Sequence, residues 1–288
     1  MRGELGIAPT SRPLGSFLFV GPTGVGKTEL TKCFTNFLFE GPHRLIRFDM
    51  SEYQNREQLE VLLGDKNYPQ GQIGRIFDLN RNNHGELQGG TIHFDEIEKA
   101  HLDIMLILLQ ILDDGRLTLR DGTLLDLSKF YIVMTSNIGA TEAMEMRKST
   151  PESIARVVLS LVKEKLRPEL VNRITEQVVF NRLDYSVQIE IAKLLLDRKI
   201  ERLNTHLNTD IRYSDCVIEQ VIIEGFDTRF GARPMRRCIE RLVGDAIATK
   251  LMNDEPPSGL LRSNRPMGML EFEQETLARE VEASTIEK

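Results

Sequence analysis

Short apolar runs alternate with longer stretches of helical spacing along the first 182 residues of this 288-residue chain. Phe17-Leu18-Phe19-Val20 reads as a buried strand, and Thr28 to Phe39 as a helix with Leu30, Cys33, Phe34, Phe37 and Leu38 on one face. Gly41-Pro42 breaks the chain before a second strand, Arg44 to Phe48, which ends at Asp49. Ser51 is placed to cap a helix reaching Leu63, with Leu59, Leu62 and Leu63 inward. Residues 64–90 are polar and glycine-rich, with one short helix marked by Ile73, Ile76, Phe77 and Leu79. Thr91-Ile92-His93-Phe94 is a strand ending in Asp95-Glu96, and Glu98 to Leu112 is a helix apolar nearly all round, which reads as burial or, second to that, a subunit contact. Asp121-Gly122 sits between short alternating runs from Arg116 to Leu127, a hairpin signal. Phe130 to Met134 is a further strand, followed by Thr135-Ser136-Asn137. Thr150 and Pro151 open a helix whose inner face is Ile154, Val157, Val158 and Leu161, and Val178 to Phe180 forms the last strand of this half. Strands alternating with helices predict an α/β fold, a parallel sheet covered by helices.

From Leu183 the pattern changes. Asp184 to Leu207 is a long amphipathic helix, Ile211 to Tyr213 a short strand, and Ser214 caps a helix to Glu224. Gly231-Ala232-Arg233-Pro234 opens another helix to Met252, and Met269 to Phe272 is a last strand. The domains expected are therefore residues 1–182, a large α/β domain, and 183–288, a small, mainly helical one. Residues 1–16 read as a lead-in loop, and Glu273 to Lys288 as a frayed tail or loose helix.

The chemistry begins at Gly21-Pro22-Thr23-Gly24-Val25-Gly26-Lys27-Thr28, which fits G-x-x-x-x-G-K-[ST] at every position between a strand and a helix. Its glycines let backbone N–H groups turn toward phosphate oxygens, and the helix N-terminus adds partial positive charge. The nucleotide contacts expected are Gly21 to Thr28 with Glu29 after them. Lys27 reaches the β- and γ-phosphates, and Thr28 holds Mg²⁺. After such a loop, a strand ending in Asp95-Glu96 supplies a carboxylate for Mg²⁺ and a glutamate that polarises the attacking water. Asn137 is placed either to touch phosphate or water, or to cap a turn. His93 reads as a hydrogen-bonded core residue and is given no role.

Composition is that of an ordinary globular protein, with a net charge of −6 and no apolar run long enough to span a membrane. The charge argues against general nucleic-acid binding. The three cysteines, Cys33, Cys216 and Cys238, show no metal or disulfide spacing, and Cys33 reads as a small core residue. A reducing cytoplasm is the expected location.

Several motifs in order resemble one family. They are Gly21–Thr28, Phe48-Asp49-Met50-Ser51-Glu52-Tyr53, Asp95 to His101, Leu108 to Leu117, Met134 to Asn137, Arg167-Pro168-Glu169 with Asn172-Arg173-Ile174, and Gly231 to Pro234. Together, over residues 5 to about 272, they resemble the AAA+ module of Clp-type unfoldases and disaggregases, most closely the second ATPase ring of the two-ring members. The resemblance implies a P-loop AAA+ sheet domain with a helical lid, and Mg²⁺-dependent ATP hydrolysis. It implies a ring of copies, a hexamer, working on a protein substrate or adaptor. It makes Asn137 a sensor of the γ-phosphate or attacking water, Arg173 an arginine finger for the neighbour's nucleotide, and Arg233 a second sensor on the small domain. Catalysis would then rest on Glu96, Lys27, Asn137, Arg173 and Arg233.

The chain also departs from that family. The stretch Gly64 to Gln72 lacks the aromatic-hydrophobic-glycine triplet that grips polypeptide, and Tyr68 is its one aromatic residue. Residues 81–90 are correspondingly longer, and the segment that meets the adenine base is at most partly present in residues 1–16. The alternative expectation is a nucleotide-controlled assembly or scaffold module that binds partners without threading them.

Overall fold

The computed structural model describes residues 12–64, 69–79, 88–146, 149–264 and 268–273. The expectations for residues 1–11, Tyr68, residues 81–87 and the tail after 273 lie outside these. The chain divides into two compact units, Met1–Arg182 and Leu183–Lys288.

The first unit runs β1 (Gly15–Val20), α1 (Lys27–Phe39), β2 (Leu45–Asp49), α2 (Arg56–Leu63), α3 (Gly71–Leu79), β3 (Gly90–Asp95), α4 (Leu102–Asp114), β4 (Arg116–Thr118), β5 (Leu124–Asp126), β6 (Phe130–Ser136), α5 (Ala140–Glu145), α6 (Pro151–Lys165), α7 (Pro168–Val171) and β7 (Glu176–Val179). Five strands form one sheet in the order β2-β3-β6-β1-β7, with every neighbouring pair parallel. β4 and β5 form the expected hairpin. Because all five strands run the same way, the ends of β1, β3 and β6 lie together on one edge, where the loops after them meet. Ligands of such sheets bind beyond that edge. The largest core of this unit joins Leu18, Ile92, Phe94, Ile132 and Met134 of the sheet to Ile104, Leu108 and Ile111 of α4 and Val158 and Val162 of α6.

Several local readings change. On α1 the inward line is Lys27, Thr31 and Thr35, while Phe37 is 84% and Leu30 44% exposed. Cys33 is exposed too, and is not a core residue. The threonine hydroxyls bond the carbonyl oxygens of Lys27 and Thr31 four residues back, so they are buried with their polarity met. Phe34 does pack inward, its ring 5.5 Å from Phe17 and 5.1 Å from Tyr131.

The cap of α2 is Asn55, in a reciprocal box with Gln58, whereas Ser51 lies in a 3₁₀ turn capped by Asp49. The helix read from Glu98 is a 3₁₀ turn at Ile97–Lys99 followed by α4, which His101 caps through Nδ1. Nor is that helix buried all round, since Leu102 and Leu106 are exposed. On α6, Val157 lies outside the buried line Ile154, Val158 and Val162.

The second unit runs α8 (Tyr185–Leu207), β8 (Ile211–Tyr213), α9 (Asp215–Gly225), α10 (Arg233–Met252), β9 (Gly259–Asn264) and β10 (Met269–Phe272). Its strands form a sheet in the order β10-β9-β8, and its core joins Leu196 and Ile200 of α8 to Val217 and Val221 of α9 and Ile239, Leu242 and Val243 of α10. β9 is not among the sequence expectations. Ser214 does stand at the start of α9, but its hydroxyl bonds Leu261 O and Cys216 Sγ and makes no cap bond to the helix backbone.

Candidate nucleotide site

The loop after β1 turns through three glycines with positive φ, Gly21, Gly24 and Gly26. Two of these positions favour glycine for separate reasons. A Cβ on Gly21 would stand 2.5 Å from Phe180 O, so the loop can lie against the chain leaving β7 only with hydrogen there. Gly26 caps α1 at φ 103, a left-handed conformation costly to a side chain, and nothing stands within 4 Å of the Cβ position. That open space lies at a helix N-terminus, which is where a phosphate fits.

Lys27 is buried at the first position of α1. Its Nζ donates to Gly21 O at 2.6 Å, Pro22 O at 2.8 Å and Asn137 Oδ1 at 2.9 Å. Burial pulls its pKa down to about 8, against the pull of Glu98, Asp95 and Glu96. Thr28 is half-buried beside it. Glu29 is exposed, its carboxylate 2.6 Å from Lys32, which leaves its backbone N–H as its means of reaching a phosphate. Thr23 Oγ1 lies 3.5 Å from Asn137 Oδ1.

Asn137 follows β6 and joins the two halves of the site. Its Oδ1 accepts from Lys27, and its Nδ2 donates to Glu96 Oε1 at 3.0 Å. Its backbone N–H donates to Glu98 Oε1 at 3.0 Å. Of the two readings open for Asn137, these bonds favour contact with the site over a turn cap, since the side chain binds the loop lysine and Glu96. Glu96 stands at φ 57, a conformation that costs a non-glycine residue about 1–3 kcal/mol and clusters at functional sites. Its other oxygen pairs with Lys99 one turn on, and that bond raises the Lys99 pKa.

Asp95 ends β3. Thr135 donates to its Oδ1, and Arg47 of β2 donates to its Oδ2 at 2.5 Å. Burial opposes its charge, but the Thr135 bond, His93 and Arg47 outweigh burial and hold the carboxyl below the usual range. An ionised carboxylate and a hydroxyl, Asp95 and Thr28, are hard oxygen donors suited to Mg²⁺.

His93 is fully buried on β3, its Nε2 3.4 Å from Thr135 Oγ1. Burial lowers its pKa to about 4, with Asp95 pulling the other way. The unfolded chain binds this proton near pH 6.5, so the folded form is favoured above that pH and loses ground as pH falls toward 4. Thermal unfolding followed from pH 7 to 4 is expected to show a steeper acid loss in the wild type than in His93→Leu. Equal slopes would mean that His93 contributes nothing to acid sensitivity.

Arg173 lies elsewhere in the first unit. Its Nε is 2.5 Å from Asp113 Oδ2 and its Nη1 donates to Glu169 O at 2.8 Å. It lines a cavity of about 210 Å³ with Arg12, Ser16, Asp113, Asn172 and Thr175. Arg233 is the first residue of α10 in the second unit, after the left-handed Gly231. The structure thus gathers Gly21, Pro22, Lys27, Asn137 and Glu96 by direct bonds, with Asp95 beside Glu96, and not Arg173. Thr135, Glu98, Lys99 and Arg47 had drawn no sequence role. The signal for Thr135 was its place two residues before Asn137 on an apolar strand.

A parallel sheet with this loop after β1, an acidic pair after β3 and a polar residue after β6 defines a P-loop nucleotide-binding module, here joined to a small helical unit. The family model described as AAA domain (Cdc48 subfamily) matches residues 12–177, and the chain belongs to that family. The model of the C-terminal, D2-small domain of ClpB protein matches residues 183–259, so the two units in this order correspond to the second ATPase domain of a Clp-type disaggregase. Chaperone protein ClpB 1 of Synechocystis sp. is 36% identical over 262 residues, 88% of this chain and 28% of that protein. Chaperone protein ClpB of Rickettsia prowazekii is 38% identical over 271 residues, 90% of this chain and 30% of that protein. The chain therefore spans less than a third of these relatives' length. Among solved structures, the S. cerevisiae Hsp104-ADP complex superposes with a TM-score of 0.77 at 31% identity, covering 91% of this chain and 46% of that one. Among the described residues no helix is long and apolar enough to cross a membrane.

Proposed function

We propose that this module hydrolyses ATP with Mg²⁺ in a ring of like subunits, a hexamer by family likeness, and uses the cycle to remodel a protein partner in the cytoplasm. The observation that carries the reading is the bonded chain Lys27–Asn137–Glu96 at the sheet edge, with Asp95 adjacent. It joins a phosphate-binding lysine to a carboxylate through one amide. In this reading the backbone of Gly21 to Thr28, with Glu29, cradles the phosphates, and Lys27 turns from its carbonyl partners to the β- and γ-oxygens. Thr28 and Asp95 would hold Mg²⁺, which when bound would neutralise charge on the phosphate oxygens. Glu96 accepts a proton from the attacking water, and Asn137 orients that water or the γ-phosphate. Arg173 acts on the neighbouring subunit's nucleotide, and Arg233 reports phosphate state from the small unit. ADP is the released product, a reading supported by the similar Hsp104 structure being an ADP complex.

A second reading keeps the nucleotide chemistry and drops the threading. It is favoured by the missing gripping triplet between Gly64 and Gln72. The module then holds or releases a protein partner by nucleotide state.

Nucleotide binding is tested at Lys27. Lys27→Ala is expected to weaken ATP binding about 10- to 100-fold, because a hydrogen bond to a charged group contributes ~1.5–3 kcal/mol. Equilibrium titration with a fluorescent ATP analogue reads this, and an unchanged Kd would remove the loop from the account.

A further inference from the structure

Thr135 belongs to β6, the strand between β3 and β1, and is 1% exposed. Its neighbour Met134 is in register with Phe94, which sets Thr135 level with Asp95, and on the other side it pairs with Phe19. A threonine hydroxyl has one proton and two lone pairs. The proton goes to Asp95 Oδ1, because an ionised carboxylate can only accept. The lone pairs then face two donors, Glu96 N–H at 3.3 Å and His93 Nε2 at 3.4 Å. With the hydroxyl proton committed, His93 Nε2 donates to the Thr135 oxygen. His93 Nδ1 is buried and has no hydrogen-bond partner among the described residues.

We propose that Thr135 is a positioning residue for the reaction, fixing the Asp95 carboxylate and the Glu96 backbone as one unit with buried His93 as its backing. The inference rests on the reading of Asp95 and Glu96 given above. One oxygen thereby touches three groups at the end of β3 and just after it: the interior histidine, the metal carboxylate, and the amide from which the water-polarising glutamate turns at its left-handed φ. A slight shift of Thr135 moves the Asp95 oxygens and the direction of Glu96 together. Thr135 makes no bond to Lys27, whose Nζ is also held by Gly21 O and Pro22 O.

The test separates these. Thr135→Val keeps the shape and β-branching and removes the hydroxyl, and Thr135→Ser keeps the hydroxyl. Thr135→Ala is a second deletion that puts no methyl beside the carboxylate, should the valine variant fail to fold. Affinity for a fluorescent ADP analogue is measured with and without Mg²⁺, alongside kcat, KM and the unfolding midpoint. Outer partners of a metal carboxylate are worth about 10- to 100-fold in metal affinity or activity. The hydroxyl deletions are therefore expected to cut the Mg²⁺ enhancement of nucleotide affinity about 10-fold and kcat by 10-fold or more. Metal-free affinity should stay within about twofold, and Thr135→Ser should restore most of the loss. The inference is overturned if the deletions keep the Mg²⁺ enhancement and kcat, or if metal-free affinity falls in step, or if serine is as impaired as alanine. Asp95→Asn in the same assay distinguishes the two levels. If it abolishes the enhancement while Thr135→Val does not, Thr135 alone is excluded. If it leaves the enhancement intact, the metal reading of Asp95 fails and takes the inference with it.

Discussion

Glu96→Gln is expected to leave ATP bound and slow its hydrolysis about 100- to 10,000-fold, the usual worth of a positioned general base. Glutamine keeps the size of the side chain and an oxygen for Asn137 Nδ2, which now bonds Glu96 Oε1 at 3.0 Å. It cannot take a proton from water, and it ends the ion pair with Lys99. Binding should survive because the phosphates depend on Lys27 and the loop, which Glu96 touches only through Asn137. Single-turnover hydrolysis at saturating nucleotide, with affinity measured in parallel, separates the two effects. Normal turnover with normal binding would remove Glu96 from catalysis.

The second large effect is expected at Arg173. Arg173→Ala should lower hydrolysis in the assembled state by about 1,000-fold or more, the measured worth of an arginine finger, with binding retained. Within its own subunit the guanidinium is anchored by Nε on Asp113 and Nη1 on Glu169 O. Those bonds hold its direction and engage two of five N–H donors, leaving others to meet a phosphate. Its place apart from Lys27 and Asn137 agrees with service to a different subunit's nucleotide. ATP turnover of the variant, with assembly checked by mass, reads the effect. A fully assembled Arg173→Ala with unchanged turnover would make this arginine a structural ion pair with Asp113.

The sheet strands of the first unit and the loop were legible in the sequence because each is short, apolar and bounded by residues with one physical use. Gly21 to Thr28 needed only its spacing, and Asp95-Glu96 only its position after a strand. What misled was apolar spacing on α1. The helix buries Thr31 and Thr35, whose hydroxyls are satisfied within the helix, and leaves Leu30 and Phe37 outward. Hydrophobicity alone cannot see that a small polar residue with an internal partner is easily buried. At Glu98 the apolar run hid a break, since a 3₁₀ turn and the His101 cap precede α4. The Thr135 contacts were invisible for another reason. They depend on register between strands about 40 residues apart, which the folded sheet sets and no local pattern encodes. The finer roles of Arg173 and Arg233 came from family likeness, because a lone arginine carries no periodicity that separates a phosphate ligand from a surface pair.

The central claim is that one subunit's Glu96 works with its neighbour's Arg173. It is tested most directly by mixing Glu96→Gln and Arg173→Ala proteins, each nearly inactive alone, and measuring ATP turnover as their ratio is varied. Activity is expected to return in the mixture and to peak at intermediate ratios. In mixed rings, an Arg173→Ala subunit with intact Glu96 then receives the finger of a Glu96→Gln neighbour. If the two variants co-assemble and the mixture stays as inactive as its parts, hydrolysis is not shared between subunits and the claim is wrong.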